Sequence, residues 1–267
     1  MSTGDATSFE VSGEAYDRFM GRYSGPLAAA FVDALGIEPG QRVLDVGCGP
    51  GALTGELVRR LGPTAVRAVD PSESFVAVCR TRNPGVDVAR GRAEKLPYRN
   101  ADFDAALAQL VLHFVTDPEA TAAEMRRIVR PGGIVAAAVW DFRGGLVFQR
   151  LFWDTAAGLD AAAGAARDRL FSSPLALPDG LPILWREAGL NEIERGSITI
   201  RMEYADFADY WKPLRGGQGP VGAYVESLSP EQRRLIEERV RLSYLSGAPD
   251  GPRSMTATAW AVRGTVS

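Results

Sequence analysis

The sequence predicts an α/β fold, a mostly parallel sheet with helices packed on both faces. Three observations carry that reading. Apolar, β-branched runs alternate with helical patterns to give five strands in about 100 residues, the order that joins parallel strands through crossover helices. The first run, beginning at Val43, breaks into glycines at 47, 49 and 51 and opens onto a helical pattern from Thr54 to Leu61. The first two runs also carry carboxylates at their carboxyl ends, Asp45 and, 25 residues later, Asp70.

Taken in order, Tyr16 to Tyr23 reads as a short leading segment, separated by Gly25-Pro26 from a helix that ends at Gly36 and Pro39-Gly40. After the glycine turn and its helix, Gly62-Pro63 marks a loop and Ala65 to Asp70 a second strand. Pro71-Ser72 opens a helix through Arg82. Val86 to Ala89 is a short strand, Gly91 to Pro97 a loop, and Phe103 to Leu112 a fourth strand. Pro118 to Arg130 is amphipathic, Pro131-Gly132-Gly133 stops it, and Ile134 to Trp140 is a buried strand. Beyond that point Phe142 to Phe171 reads as helical, Pro178 to Gly189 as a helix returning to the sheet, and Ile193 to Tyr204 as a strand. Tyr204 to Leu245 is mostly helical, broken at Gly216 to Pro220, and Thr256 to Val262 is a last, antiparallel strand.

Composition narrows the function classes. Of 267 residues, 46% are hydrophobic and 24% charged, as in ordinary globular enzymes, and a net charge of -3 offers no broad attraction to nucleic acid or anionic membrane. No apolar run approaches a membrane span, and Met1 to Ser8 lack a signal-peptide core, so a cytoplasmic location is expected. With two cysteines and one histidine, no metal centre is expected.

Parallel sheets bind ligands beyond the carboxyl ends of their strands. Asp45, Gly47, Gly49, Gly51, Asp70, Ala93, Glu94 and His113 all fall there. A carboxylate ending the second strand can accept both hydroxyls of a ribose, although Asp70 could instead cap the following helix. The run Gly47 to Ala52 satisfies the G-x-G-x-x-G/A dinucleotide pattern, which keeps a nicotinamide oxidoreductase open. Against it, Asp45 would face a pyrophosphate with the wrong sign.

Val43 to Thr54, Ala68 to Ser72, Gly91 to Pro97, Phe103 to Phe114 and Ile128 to Trp140 resemble, in order, the motifs of class I S-adenosylmethionine-dependent methyltransferases, in the ubiquinone/menaquinone-biosynthesis-like branch. That resemblance implies a Rossmann-like, doubly wound seven-stranded sheet with an antiparallel last strand and an inserted helical cap. Residues 1–141 would be the cofactor-binding core with a leading lid. Residues 142–267 would complete the fold, with cap insertions at about 142–175 and 205–250. It implies S-adenosylmethionine as cofactor. Gly47, Cys48, Gly49 and Gly51 would lie along its methionine part with Asp45 nearby, Asp70 on the ribose, and Pro71 or Ser72 beside the adenine. Ala93 and Glu94 would meet the adenine edge, Gln109 and Leu110 would lie under the methionine, and Tyr16 and Arg22 would belong to the closing segment. A small-molecule acceptor is expected near Phe148, Trp153, Trp211 and Tyr244. His113 is the candidate general base, with packing beneath the cofactor as its other role. A cofactor-binding protein without catalysis is the remaining alternative.

Overall fold

In the computed structural model, which describes residues 21–216 and 219–267, the first element is helix α1 (Arg22–Leu35). Gly25-Pro26 does not interrupt it. Pro26 lies in the second turn, and interior proline costs about 3 kcal/mol. Tyr23, Leu27, Phe31, Val32 and Leu35 bury one continuous face. At roughly 1.5–3 kcal/mol for each large side chain, that burial outweighs the proline. Gly36 then ends the helix in the left-handed conformation.

The sheet is built from β1 (Val43–Val46), β2 (Val66–Asp70), β3 (Asp87–Arg90), β4 (Phe103–Gln109), β5 (Val129–Trp140), β6 (Asn191–Tyr204) and β7 (Arg253–Thr265). Its order is β3-β2-β1-β4-β5-β7-β6. The first five strands are parallel, and β7 runs antiparallel between β5 and β6. This is the expected seven-stranded sheet with its antiparallel last strand. Helices α1, α2 (Ala52–Leu61) and α3 (Glu73–Arg82) cover one face, with Ala105 and Leu107 of β4 turned toward them. Helices α4 (Pro118–Ile128) and α7 (Gly180–Glu187) cover the other, with Ala106 and Ala108. Burial on both faces explains why the central strands read as unbroken apolar runs.

The boundaries of four strands moved. β4 ends at Gln109, because Leu110 takes a left-handed φ of 63° and the next residues turn, Phe114 N–H donating to the Val111 carbonyl at 2.8 Å. β5 starts at Val129, opposite Phe103, and carries Pro131-Gly132-Gly133 within it as an irregularity. Gly132 N–H donates to Val266 and Val266 N–H to Gly133, which stitches those residues to the end of the last strand. β6 and β7 exceed their apolar cores because their shared ladder runs from Asn191–Thr265 to Tyr204–Arg253.

Between β5 and α7 lie α5 (Val147–Ala157) and α6 (Ala161–Phe171). Between β6 and β7 lie α8 (Phe207–Leu214), α9 (Gly219–Ser227) and α10 (Pro230–Leu245). These helices share one hydrophobic cluster, which also takes Tyr23 and Leu27 from α1 and Ile200, Met202 and Tyr204 from β6.

Candidate functional site

β1 has β2 on one side and β4 on the other, so the strand order reverses there, and the carboxyl ends of these strands open into a cleft of about 560 Å3. Gly47 and Gly49 line it after β1; Asp70, Pro71, Ser72 and Phe75 after β2; Arg90 to Glu94 after β3; and Gln109 to Val111 with Phe114 to Thr116 after β4.

Asp70 holds this end of the site together. Its carboxylate accepts from Gly49 N–H and from Ser72 N–H, each at 2.9 Å. Burial raises its pKa, while those two bonds pull the other way. It does not cap α3, because Ser72 does, accepting from Phe75 N–H. Each carboxylate oxygen therefore already has one backbone donor and keeps a lone pair for a further one. Gly49, at φ 52°, has open space where a Cβ would stand.

On the other wall, Gln109 donates through Nε2 to the Ser24 carbonyl of α1 at 3.0 Å. Its Oε1 is buried with no hydrogen-bond partner among the described residues. Leu110, beside it, holds a left-handed φ that leucine rarely adopts, pinned by its N–H on the Ala138 carbonyl at 2.7 Å. Glu94 accepts from Thr116 N–H at 3.0 Å and from Arg92 at 3.2 Å. Although burial works in the opposite direction, these bonds and the one from its own N–H hold Glu94 below the usual carboxylate range.

Other expected site residues lie elsewhere. Asp45 is buried behind the glycine turn, accepting from the Thr54 hydroxyl at 2.6 Å, and burial pushes its pKa up to about 8. It is absent from the cleft wall, because β1 points it into the α2–α3 side of the fold. Cys48 turns inward into the same buried cluster as Cys79, its thiol donating to the Gly49 carbonyl at 3.6 Å. Gly51 packs against α3, where an added Cβ would stand 2.4 Å from Asn83 Nδ2 and 2.9 Å from Cys79 Sγ. Tyr16 and the side chain of Arg22 lie outside the described residues.

His113 faces a second cavity of about 250 Å3, with Leu112, Pro118 and Leu184 among its walls, and does not line the cleft. Its Nε2 pairs with the Trp140 carbonyl at 3.2 Å and its ring packs on Phe142 at 4.7 Å. Burial pushes its pKa down to about 4, so the imidazole is neutral at physiological pH and a weak base. Both geometry and charge state disfavour the expected catalytic role. Phe148, Trp153, Trp211 and Tyr244 are all buried inside the helical cluster and line neither cavity. Phe152 bridges Trp153 and Trp211, with ring centroids at 5.1 and 6.2 Å. These rings are the core that the inserted helices need to stand on the sheet.

Sequence reasoning missed Val111, Val115 and Thr116 as cleft walls. The only signal for them was their position just after the fourth strand, and the turn at Leu110 that folds them back was not legible.

Residues 44–137 match the Methyltransferase domain family. The ubiquinone/menaquinone biosynthesis C-methyltransferase of Cupriavidus metallidurans is 32% identical over 179 residues, which span 61% of this chain and 72% of that protein. The chain belongs to the class I S-adenosylmethionine-dependent methyltransferases. Other curated relatives match over a shorter stretch, the chain spanning 34%, 39% and 44% of the length of three of them. An S-adenosylmethionine-dependent methyltransferase of Thermotoga maritima shares the fold at a TM-score of 0.56 and 22% identity, over 98% of this chain and 99% of that one. A phosphoethanolamine N-methyltransferase of Haemonchus contortus, solved with phosphomonomethylethanolamine and S-adenosylhomocysteine, does so at a TM-score of 0.59 and 15% identity. That match covers 100% of this chain and 60% of that one. S-adenosylmethionine is the cofactor of these methyltransferases. The cleft fits such a group: its volume is within the usual range for small-molecule sites, Gly49 leaves its backbone bare, and Gln109 Oε1 waits for a donor.

Proposed function

We propose that this methyltransferase-family chain transfers a methyl group from S-adenosylmethionine to a small-molecule acceptor. The observation that carries the reading is the cleft at the β1–β4 reversal, where bare glycine backbone, the Asp70 carboxylate and a Gln109 oxygen with no partner among the described residues converge. When bound, S-adenosylmethionine supplies an electrophilic sulfonium methyl open to in-line displacement.

The chain's own residues bind, orient and exclude water. Asp70 accepts the ribose hydroxyls on its remaining lone pairs while its backbone bonds keep the carboxylate from rotating. Gln109, fixed by Ser24, offers its Oε1 to the ammonium of the methionine part. The walls after β3 and β4 enclose the adenine. With His113 neutral and outside the cleft, positioning and exclusion of water supply the acceleration. A small acceptor is supported by the relative from Cupriavidus metallidurans, whose name assigns it to quinone biosynthesis.

Isothermal titration with S-adenosylhomocysteine and with NADH tests the reading. Binding of the first and not the second is expected, and the reverse would return the nicotinamide alternative. Asp70→Ala should weaken S-adenosylhomocysteine binding by about 2–4 kcal/mol, through the ribose bonds and the loosened Gly49 N–H. Unchanged affinity in a folded variant would remove the ribose from Asp70.

A further inference from the structure

The loop after β3 and the turn after β4 face each other across one end of the cleft, and they belong to different crossovers of the sheet. Nothing in the strand ladders sets their separation, because both lie beyond the last paired residues of β3 and β4. Two side chains of the β3 loop, Glu94 and Arg92, span them at Thr116. Glu94 Oε1 accepts the Thr116 N–H at 3.0 Å and Arg92 Nη2 at 3.2 Å, and the same Arg92 nitrogen donates to the Thr116 hydroxyl at 3.2 Å. The three groups close a small ring of bonds across the two walls. Glu94 is the enclosed member, with 16% of its side chain exposed against 60% for Arg92.

The far part of the same loop is tied down separately. Leu96 N–H donates to Glu124 of α4 at 2.8 Å, and Arg127 of α4 donates to the carbonyls of Leu96 and Tyr98. Thr116 directly precedes Asp117, the residue that caps α4 by accepting from Ala120 N–H at 2.8 Å. The loop is thus fixed to α4 at its far part and, through Glu94, to the segment that enters α4 at the cleft.

We propose that Glu94 is a positioning residue, a clasp that sets the width of the adenine end of the cleft through Thr116 and Arg92, and not a direct partner of the adenine edge. The proposal rests on the cofactor reading above and refines it. A carboxylate already engaged by a backbone N–H and a guanidinium acts on the ligand through the walls it joins. Its loss widens the slot for any purine, whatever that purine carries at its 6-position.

The test compares S-adenosylhomocysteine with its 6-deamino analogue, in which hydrogen replaces the adenine amino group and the ring nitrogens keep their acceptor character. Isothermal titration is run on the wild-type chain and on Glu94→Ala, Glu94→Asp and Glu94→Gln, each checked for folding by circular dichroism and thermal melting. Glu94→Ala and Glu94→Asp should weaken both ligands by the same factor, about tenfold, since neither side chain reaches Thr116. Glu94→Gln should keep affinity within about threefold, because its amide oxygen still accepts from Thr116 N–H and Arg92. A loss confined to the amino-bearing ligand would make Glu94 a direct adenine contact and overturn the clasp. Wild-type affinity in the alanine and aspartate variants would overturn it as well. Failure of the wild-type chain to bind either ligand would instead sink the cofactor reading on which the clasp depends.

Discussion

Gly49 and Gly51 stand two residues apart in the same turn and are glycine for different reasons. Gly51, at φ 95°, is crowded by Asn83 and Cys79, so Gly51→Ala combines backbone strain with displaced side chains. A loss of roughly 2–4 kcal/mol in urea unfolding is expected. Gly49, at φ 52°, shares the backbone strain but has nothing within 4 Å of an added Cβ, so Gly49→Ala should cost less stability than Gly51→Ala while harming cofactor affinity more. Titration and denaturation of both variants check this, and equal stability losses would refute the distinction. His113 yields a pH prediction. Its folded pKa, about 4, lies below the unfolded 6.5, so its contribution to stability is fully present above about pH 6.5 and is lost as pH falls through 4. His113→Gln should therefore flatten the stability change between pH 6.5 and 4 in urea titrations. The pH–rate profile of the wild-type chain should carry no His113 inflection between pH 6 and 8. An inflection there that the glutamine variant abolishes would restore the general base.

At the scale of elements, the helices over the sheet edge are held by aromatic packing. Trp153 and Trp211 are 0% and 2% exposed, and Phe207 stacks on Trp211 at 5.9 Å. Truncating either indole should lower stability by about 3–5 kcal/mol while leaving S-adenosylhomocysteine affinity of the folded fraction nearly unchanged. Thermal melts beside titrations measure the two effects, and a variant of wild-type stability would contradict the packing role. The same cluster shows where pattern reading stops. The sequence reading marked Phe142 to Phe171 and Tyr204 to Leu245 as helical without dividing them into α5, α6, α8, α9 and α10, and a sequence cannot say whether a buried ring faces another helix or a ligand. Helix α1 gives the converse case: Gly25-Pro26 is a strong local breaker, and the apolar face of Tyr23, Leu27 and Phe31 overrides it only because the inserted helices and the sheet are there to receive that face.

For the whole molecule, the cleft joins segments from four strands, so a ligand that fills it should stabilise all of them together. At a hundred times its dissociation constant, S-adenosylhomocysteine should add about 2.7 kcal/mol to the unfolding free energy, measured by urea titration with and without ligand. No increase would mean that the cleft does not take it. The sequence by itself determined the α/β class, the succession of the first five strands along the chain, the antiparallel last strand and the glycine turn. Those features follow from local alternation, period and turn chemistry, each written within a few neighbouring residues. Tertiary structure alone decided that Asp45 is sealed behind the turn, that His113 is neutral and faces another cavity, and that Glu94 bridges two walls. Those outcomes depend on which way a side chain points from its strand and on what other segments bring beside it. Burial and partnering then shift the charge state, and neither is encoded at the position itself.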